Sequence, residues 1–162
     1  MSPLYAVLGL VGLQRAAEIA FAARNTSRLM AQGAVEVDAG SYPWFIVLHA
    51  AWFGSLALLV PASTPPSWPL LGVFAALQLA RLWVIATLGR RWTTRIIVLP
   101  GTPRVIRGPY RYLRHPNYAI VAAEIAVLPL AFGAVLTALA FSAANLALLA
   151  RRIAIEDRAL AG

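Results

Sequence analysis

The residues best suited to chemistry lie between Gly108 and Tyr118 and read Gly-Pro-Tyr-Arg-Tyr-Leu-Arg-His-Pro-Asn-Tyr. Arg111 and Arg114, with Arg107 just before them, can hold a carboxylate or a phosphate. The three tyrosines of the segment offer aromatic faces to a base or to a cation. His115 is one of only 2 histidines in the chain. A second polar pair, Arg152 and Glu156, stands four residues apart near the C-terminus, so one helix face can present both. On spacing alone, a solvated helix end is the favoured reading of that pair.

These residues sit in a chain built for lipid. Of 162 residues, 60% are hydrophobic and 12% charged, and the mean hydropathy is +0.73. Those values describe an integral membrane protein with room for one domain. The net charge of +8 comes from arginine alone and clusters between apolar runs. That is the positive-inside pattern of a membrane protein rather than a nucleic-acid surface. Without cysteine there is no disulfide, thiol nucleophile or zinc-thiolate site.

The elements that must position the polar residues follow from the apolar runs. Leu4 to Ala23 is a first span, holding Gln14, Arg15 and Glu18 on one helix face. An Arg15–Glu18 pair within the bundle is the plain reading of that face. Arg24 to Tyr42 reads as a polar connection, with a short surface helix ending near Gly33. Pro43 starts a second span, Trp44 to Val60, in which His49 stands alone and reads as a packed residue. After a proline-rich loop, Leu70 to Leu88 is a third span. Its Arg81 lies at the same depth as Glu124 in the next apolar run, and the two are expected to pair. Ala119 to Leu149 is too long for one straight span and is predicted to be a hairpin of two short helices turning near Gly133.

The charged segments 24–42, 89–117 and the tail fall on one side if there are five spans. The expected fold is therefore an all-α membrane bundle of about five transmembrane helices. Its last two helices form a hairpin, the N-terminus is outside, and the cofactor-binding loop and C-terminal helix are cytoplasmic. A bacterial inner membrane is the expected location, and the whole chain, 1–162, is expected to be one domain.

At the cytoplasmic face the 89–118 loop and the 151–158 tail would together offer guanidinium groups, aromatic faces and the Glu156 carboxylate. S-adenosylmethionine needs all of these, having a carboxylate, an adenine, ribose hydroxyls and a sulfonium. A dinucleotide phosphate would use the same arginines. No glycine-rich fingerprint is present to hold either in a Rossmann-type site.

The segment Gly108–Tyr118 resembles the cofactor motif of the isoprenylcysteine carboxyl methyltransferase family of integral membrane enzymes. Arg152-Ile-Ala-Ile-Glu156 is similar to that family's closing Arg-x-x-x-Glu element. Leu88 to Gly101 resembles small bacterial members, some of which methylate lipophilic products of polyketide synthases. The resemblance covers about residues 78 to 160, with the cofactor part at about 88–160. It implies methyl transfer from S-adenosylmethionine to a lipophilic small-molecule acceptor from the bilayer. By motif position, Thr102, Arg104, Val105, Tyr110, His115, Pro116, Asn117, Tyr118 and Glu156 would contact the cofactor, and Arg152 would act on the acceptor. Where eukaryotic members often have His-x-Leu-Val, this chain has Thr102-Pro-Arg-Val105, and its short length argues against a prenylated protein as acceptor.

Methyl transfer is an in-line displacement that needs orientation and an anionic acceptor. A carboxylate is already ionised, whereas a phenol or enol needs a cation such as Arg152. His115 could be a general base, but its motif position favours cofactor binding. No metal is expected, and membrane lipids are the other partners. Two rival functions use the same residues differently. An NADPH-dependent reductase of the sterol-reductase type shares an Arg-His-Pro-like segment but has many more spans, and a non-enzymatic scaffold would bind no cofactor.

Overall fold

Where nearly every side chain is apolar, the backbone finds no water and must satisfy its own hydrogen bonds within helices. The computed structural model describes residues 2–159. Its helices are α1 (Pro3–Ala31), α2 (Tyr42–Leu59), α3 (Trp68–Leu88), α4 (Pro116–Ala131) and α5 (Val135–Ala159). All but α4 are long and apolar enough to cross a membrane. At 16 residues α4 is the short member, about 24 Å at 1.5 Å per residue.

Contacts at the helix ends give the direction of each helix. At one end, Ser67 N–H donates to the Ala131 carbonyl (2.7 Å) and the Ser2 hydroxyl to the Ala62 carbonyl (2.5 Å). At the other end, Arg95 pairs with Glu36 (3.0 Å) and Arg151 with Asp38 (3.6 Å). The uncharged connections thus gather at one end and the charge-rich ones at the opposite end. This is the sidedness expected from the charge pattern.

Several boundaries differ from the sequence reading. α1 does not stop at Ala23 but continues to Ala31 as one helix. Its polar extension is held because the Asn25 amide, 2% exposed, donates to the Gly89 and Trp92 carbonyls at 3.1 and 2.8 Å. Strands β1 (Val35–Val37) and β2 (Ile96–Val98) pair antiparallel, with Val35 opposite Val98. Three residues are too few to show a strand period. The tail is not a separate helix end, because α5 runs unbroken for 25 residues and is no short arm.

The expected hairpin lies where Gly133 adopts φ +70°, a conformation costly for other residues. Pro129, inside α4, has no N–H to give the Ile125 carbonyl. The Trp52 indole N–H of α2 fills that vacancy at 3.1 Å, so the kinked end of α4 is tied to its neighbour.

Among the described residues, four charged side chains form one set in the interior. Arg15 Nη1 bonds Glu18 (2.8 Å) and Arg15 Nη2 bonds Glu124 (2.8 Å). Arg81 Nη2 bonds Glu18 (2.8 Å), and Arg81 Nη1 lies 3.5 Å from Glu124. The expected Arg15–Glu18 and Arg81–Glu124 pairs are therefore parts of one two-plus, two-minus network. Gln78 bridges it, donating to Glu124 (2.8 Å) and accepting from Arg15 (3.1 Å). Gln14 adds a bond to Glu18 at 2.9 Å. The set joins α1, α3 and α4.

Removing one member strands its partners in low dielectric. Glu124→Leu is expected to destabilise by about 3–5 kcal/mol. Arg81→Met combined with Glu124→Leu should recover a large part of that loss, because Arg15–Glu18 remains a neutral pair. Denaturant unfolding in detergent reads both variants, and additive losses would show that the two residues are not coupled.

Candidate functional site

The cofactor motif divides between a loop and a helix. Gly108 opens a 3-10 turn, Gly108–Arg111, at φ +58°, and a Cβ there would lie 2.5 Å from the Thr87 hydroxyl of α3. Only glycine allows this approach, which seats the turn against α3. Tyr110 consequently packs among Val84, Trp92 and Ile120. Burial, and then the Glu156 charge, push the Tyr110 hydroxyl well above the ordinary phenol range, so it is retained as a donor. His115 stands just before α4, and Pro116, whose missing N–H costs nothing at a helix start, begins it. Asn117 and Tyr118 complete the first turn.

That turn meets α5. The Tyr118 hydroxyl donates to Glu156 Oε2 (2.5 Å) and accepts from Arg152 Nε (2.9 Å). His115 stacks on the Tyr118 ring, with centroids 5.3 Å apart and planes 8° from parallel. Its two nitrogens lie 3.6 Å from Glu156 and 3.3 Å from Asp157. Both ring nitrogens therefore face carboxylates, which orients the ring.

Arg152 is 8% exposed, which overturns the reading of the tail as a solvated helix end. Its Nη2 donates to the Thr94 carbonyl (2.7 Å). Its guanidinium carbon lies 5.0 Å from the Phe45 ring centroid and 5.6 Å from that of Tyr118. Its hydrogen bonds thus go to a hydroxyl and a carbonyl, both neutral, while Glu156 is reached only through Tyr118.

The remaining predicted residues are spread around this centre. Arg104 reaches Asp157 at 3.7 Å, and with Val105 it lines a separate cavity. Thr102 closes a turn by donating its N–H to the Leu99 carbonyl (3.3 Å); the structure does not bring it to the Arg152–Glu156 centre. Asn117 Oδ1 faces the interior instead, 3.5 Å from Arg81 Nη1, so it joins the motif to the buried charge network.

Sequence reasoning missed Asp157, which draws together His115, Arg104 and Arg114 (3.9 Å to the last). Its place one residue after Glu156 was the available signal. It also missed Thr94 and Phe45, whose roles depend on packing alone. Asn145 is fully buried, and neither its amide nitrogen nor its oxygen has a hydrogen-bond partner. It stands seven residues before Arg152, two turns down the same face of α5. Among the described residues no group of acidic, histidine or cysteine side chains could hold a metal.

A family model, "Isoprenylcysteine carboxyl methyltransferase (ICMT) family", matches residues 70–162. A protein of Bacillus subtilis (strain 168) called "Uncharacterized protein YpbQ" is 40% identical over 158 residues, covering 95% of this chain and 94% of that one. No solved structure gives a significant match.

Because the Tyr118 hydroxyl is the sole bridge between Arg152 and Glu156, Tyr118→Phe should uncouple them while keeping the ring. The loss of stability is expected to be about 1–3 kcal/mol. A double-mutant cycle of Arg152→Lys with Glu156→Gln should give a coupling of about 1 kcal/mol in the Tyr118 background and near zero in Tyr118→Phe. Equal coupling in both backgrounds, measured by unfolding, would remove Tyr118 from the bridge.

Proposed function

This chain belongs to the isoprenylcysteine carboxyl methyltransferase family of membrane methyltransferases, and on that premise we propose that it transfers a methyl group from S-adenosylmethionine to an oxygen of a small lipophilic acceptor reached from the bilayer. The observation that carries the proposal is the buried Arg152 guanidinium, whose two hydrogen bonds go to neutral oxygens. Glu156 is joined to it through the Tyr118 hydroxyl and not by a direct contact, so an acceptor oxyanion would give the guanidinium a direct anionic contact where the reaction needs it.

The residues around Arg152 suit the cofactor's groups. Glu156 and Tyr110 can hydrogen-bond hydroxyls and an amine, and the stacked His115–Tyr118 pair offers an aromatic face to the adenine or the sulfonium, while Asn117 braces the motif from the interior side through Arg81. Arg104 supplies a cation for the carboxylate, while Thr102, Val105 and Pro116 shape the surrounding backbone. When bound, S-adenosylmethionine supplies an electrophilic methyl group on a sulfonium. Arg152 then stabilises negative charge on the acceptor oxygen, lowering the pKa of a phenol or enol. A carboxylate would arrive ionised and need only orientation. His115, held between two carboxylates, acts in binding rather than as a base.

Calorimetry on the purified protein should show binding of S-adenosylmethionine and none of NADPH. Glu156→Gln and His115→Ala should weaken that binding about tenfold, roughly the loss of one charge-assisted contact. Arg152→Lys keeps the charge but loses the planar fork. It should leave cofactor affinity within about twofold and lower the methylation rate by about 10²-fold, as removal of one oxyanion donor does. Loss of cofactor binding with turnover spared in Arg152→Lys would reverse the assigned roles.

We place the charged end of the bundle in the cytoplasm, following the arginine bias of its loops. Arg95→Cys and Arg158→Cys should both be protected from a membrane-impermeant thiol reagent in intact cells and labelled in inverted vesicles. Labelling of the two on opposite sides would exclude the five-span arrangement.

A further inference from the structure

The α3 face that receives Gly108 borders two cavities. Toward the charged end, a cavity of about 510 Å³ is lined by Arg90, Arg91, Arg104 and Arg107, with Thr87, Val105 and other uncharged residues and no acidic side chain. Toward the apolar end, a groove of about 310 Å³ is lined only by apolar and aromatic residues, among them Leu77, Trp83, Tyr112 and Ile120. The two adjoin. Thr87 stands one turn beyond Trp83 and donates its hydroxyl proton to the Trp83 carbonyl (2.8 Å). Arg107 of the upper cavity, Gly108 at the contact and Pro109 of the groove are consecutive.

We propose that this trough binds an anionic membrane phospholipid, with its phosphate among Arg90, Arg91 and Arg107 and an acyl chain along Trp83, Tyr112 and Ile120. Charge complementarity identifies the occupant. Arg91 donates one N–H to the Pro103 carbonyl (2.9 Å) and Arg107 one to the Thr87 carbonyl (3.4 Å). Each guanidinium has five N–H donors, so most remain for phosphate oxygens. Trp83 and Tyr112 are 52% and 74% exposed, and rings of this amphipathic kind favour the boundary between hydrocarbon and headgroups. A free phosphate would use the arginines but leave the groove unfilled, and a zwitterionic lipid would bring its cation among Arg90, Arg91 and Arg107, since the Asp157 carboxylate is engaged with Arg104 outside the lining. The site does not depend on methyl transfer, and three of its arginines lie outside the residues assigned to the cofactor.

Native mass spectrometry on the full chain in detergent tests it, with phosphatidylglycerol and phosphatidylcholine of identical chains as probes. Retention of phosphatidylglycerol should exceed that of phosphatidylcholine by at least about tenfold. Arg90→Gln, Arg91→Gln and Arg107→Gln together should reduce phosphatidylglycerol affinity about a hundredfold, the product of a roughly fivefold effect per arginine near an anionic headgroup. S-adenosylmethionine affinity in that variant should stay within about twofold of the parent. If the triple variant does not fold, Arg90→Gln alone, at an exposed position, should show the roughly fivefold step. Equal retention of the two lipids would overturn the proposal. So would displacement of phosphatidylglycerol by micromolar inorganic phosphate, or parallel loss of S-adenosylmethionine binding, which would make the basin part of the cofactor pocket.

Discussion

Two arginines and two glutamates in the middle of an apolar bundle are tolerable only as a closed, neutral, fully hydrogen-bonded set. Arg15, Glu18, Arg81 and Glu124 form such a neutral set, with Gln14 and Gln78 adding further hydrogen bonds and Arg15 partly exposed. No pair among them would suffice, since each guanidinium contacts both carboxylates. The set therefore fixes the register of α1, α3 and α4 against one another, a specificity that interchangeable apolar contacts cannot give. Half of it comes from α1, outside the segment that the family model matches.

The functional centre depends on that register through Arg81. Besides its two carboxylates, Arg81 reaches Asn117 in the first turn of α4 and stacks over Trp92, 5.8 Å from the ring centroid. Trp92 in turn belongs to the loop whose Gly89 and Trp92 carbonyls are held by Asn25 of α1. The loop bearing Thr94, which holds Arg152, and the helix bearing Tyr118 are thus both referred to the same buried charges. α5 contributes Arg152 and Glu156 on one face, and the Trp52–Ile125 bond locks α2 against α4 across the place where Pro129 breaks the helical ladder. The result is a polar centre held by several elements at the mouth of a bundle whose walls are apolar.

Much of this was legible in the sequence for physical reasons. Apolar runs of span length dictate helices because lipid offers the backbone no partners. The concentration of arginine in alternate connections dictates sidedness, and Gly133 dictates the hairpin turn. Arg81 and Glu124 could be paired because equal depth in neighbouring spans is nearly a statement of contact for buried charges. The four-residue spacing of Arg152 and Glu156 placed them on one face, and the motif before α4 pointed to the same centre.

Tertiary structure alone decided which side chains face which. A one-dimensional string cannot say that Arg15 reaches across to Glu124, because helix register is set by packing between segments more than a hundred residues apart in sequence. Nor does it say that Arg152 is buried with neutral partners, since the same spacing describes a solvated helix end. Burial distinguishes the two, and burial comes from Phe45, Thr94 and Tyr118 converging from three other elements. The extension of α1 to Ala31 and the three-residue strand pair were likewise hidden, because Asn25 and β2 stabilise them from a distance and not through any local pattern. The sequence by itself therefore determined a sided membrane bundle and the residue types of its centre. Packing decided which of those residues meet and that Arg152 is buried among them.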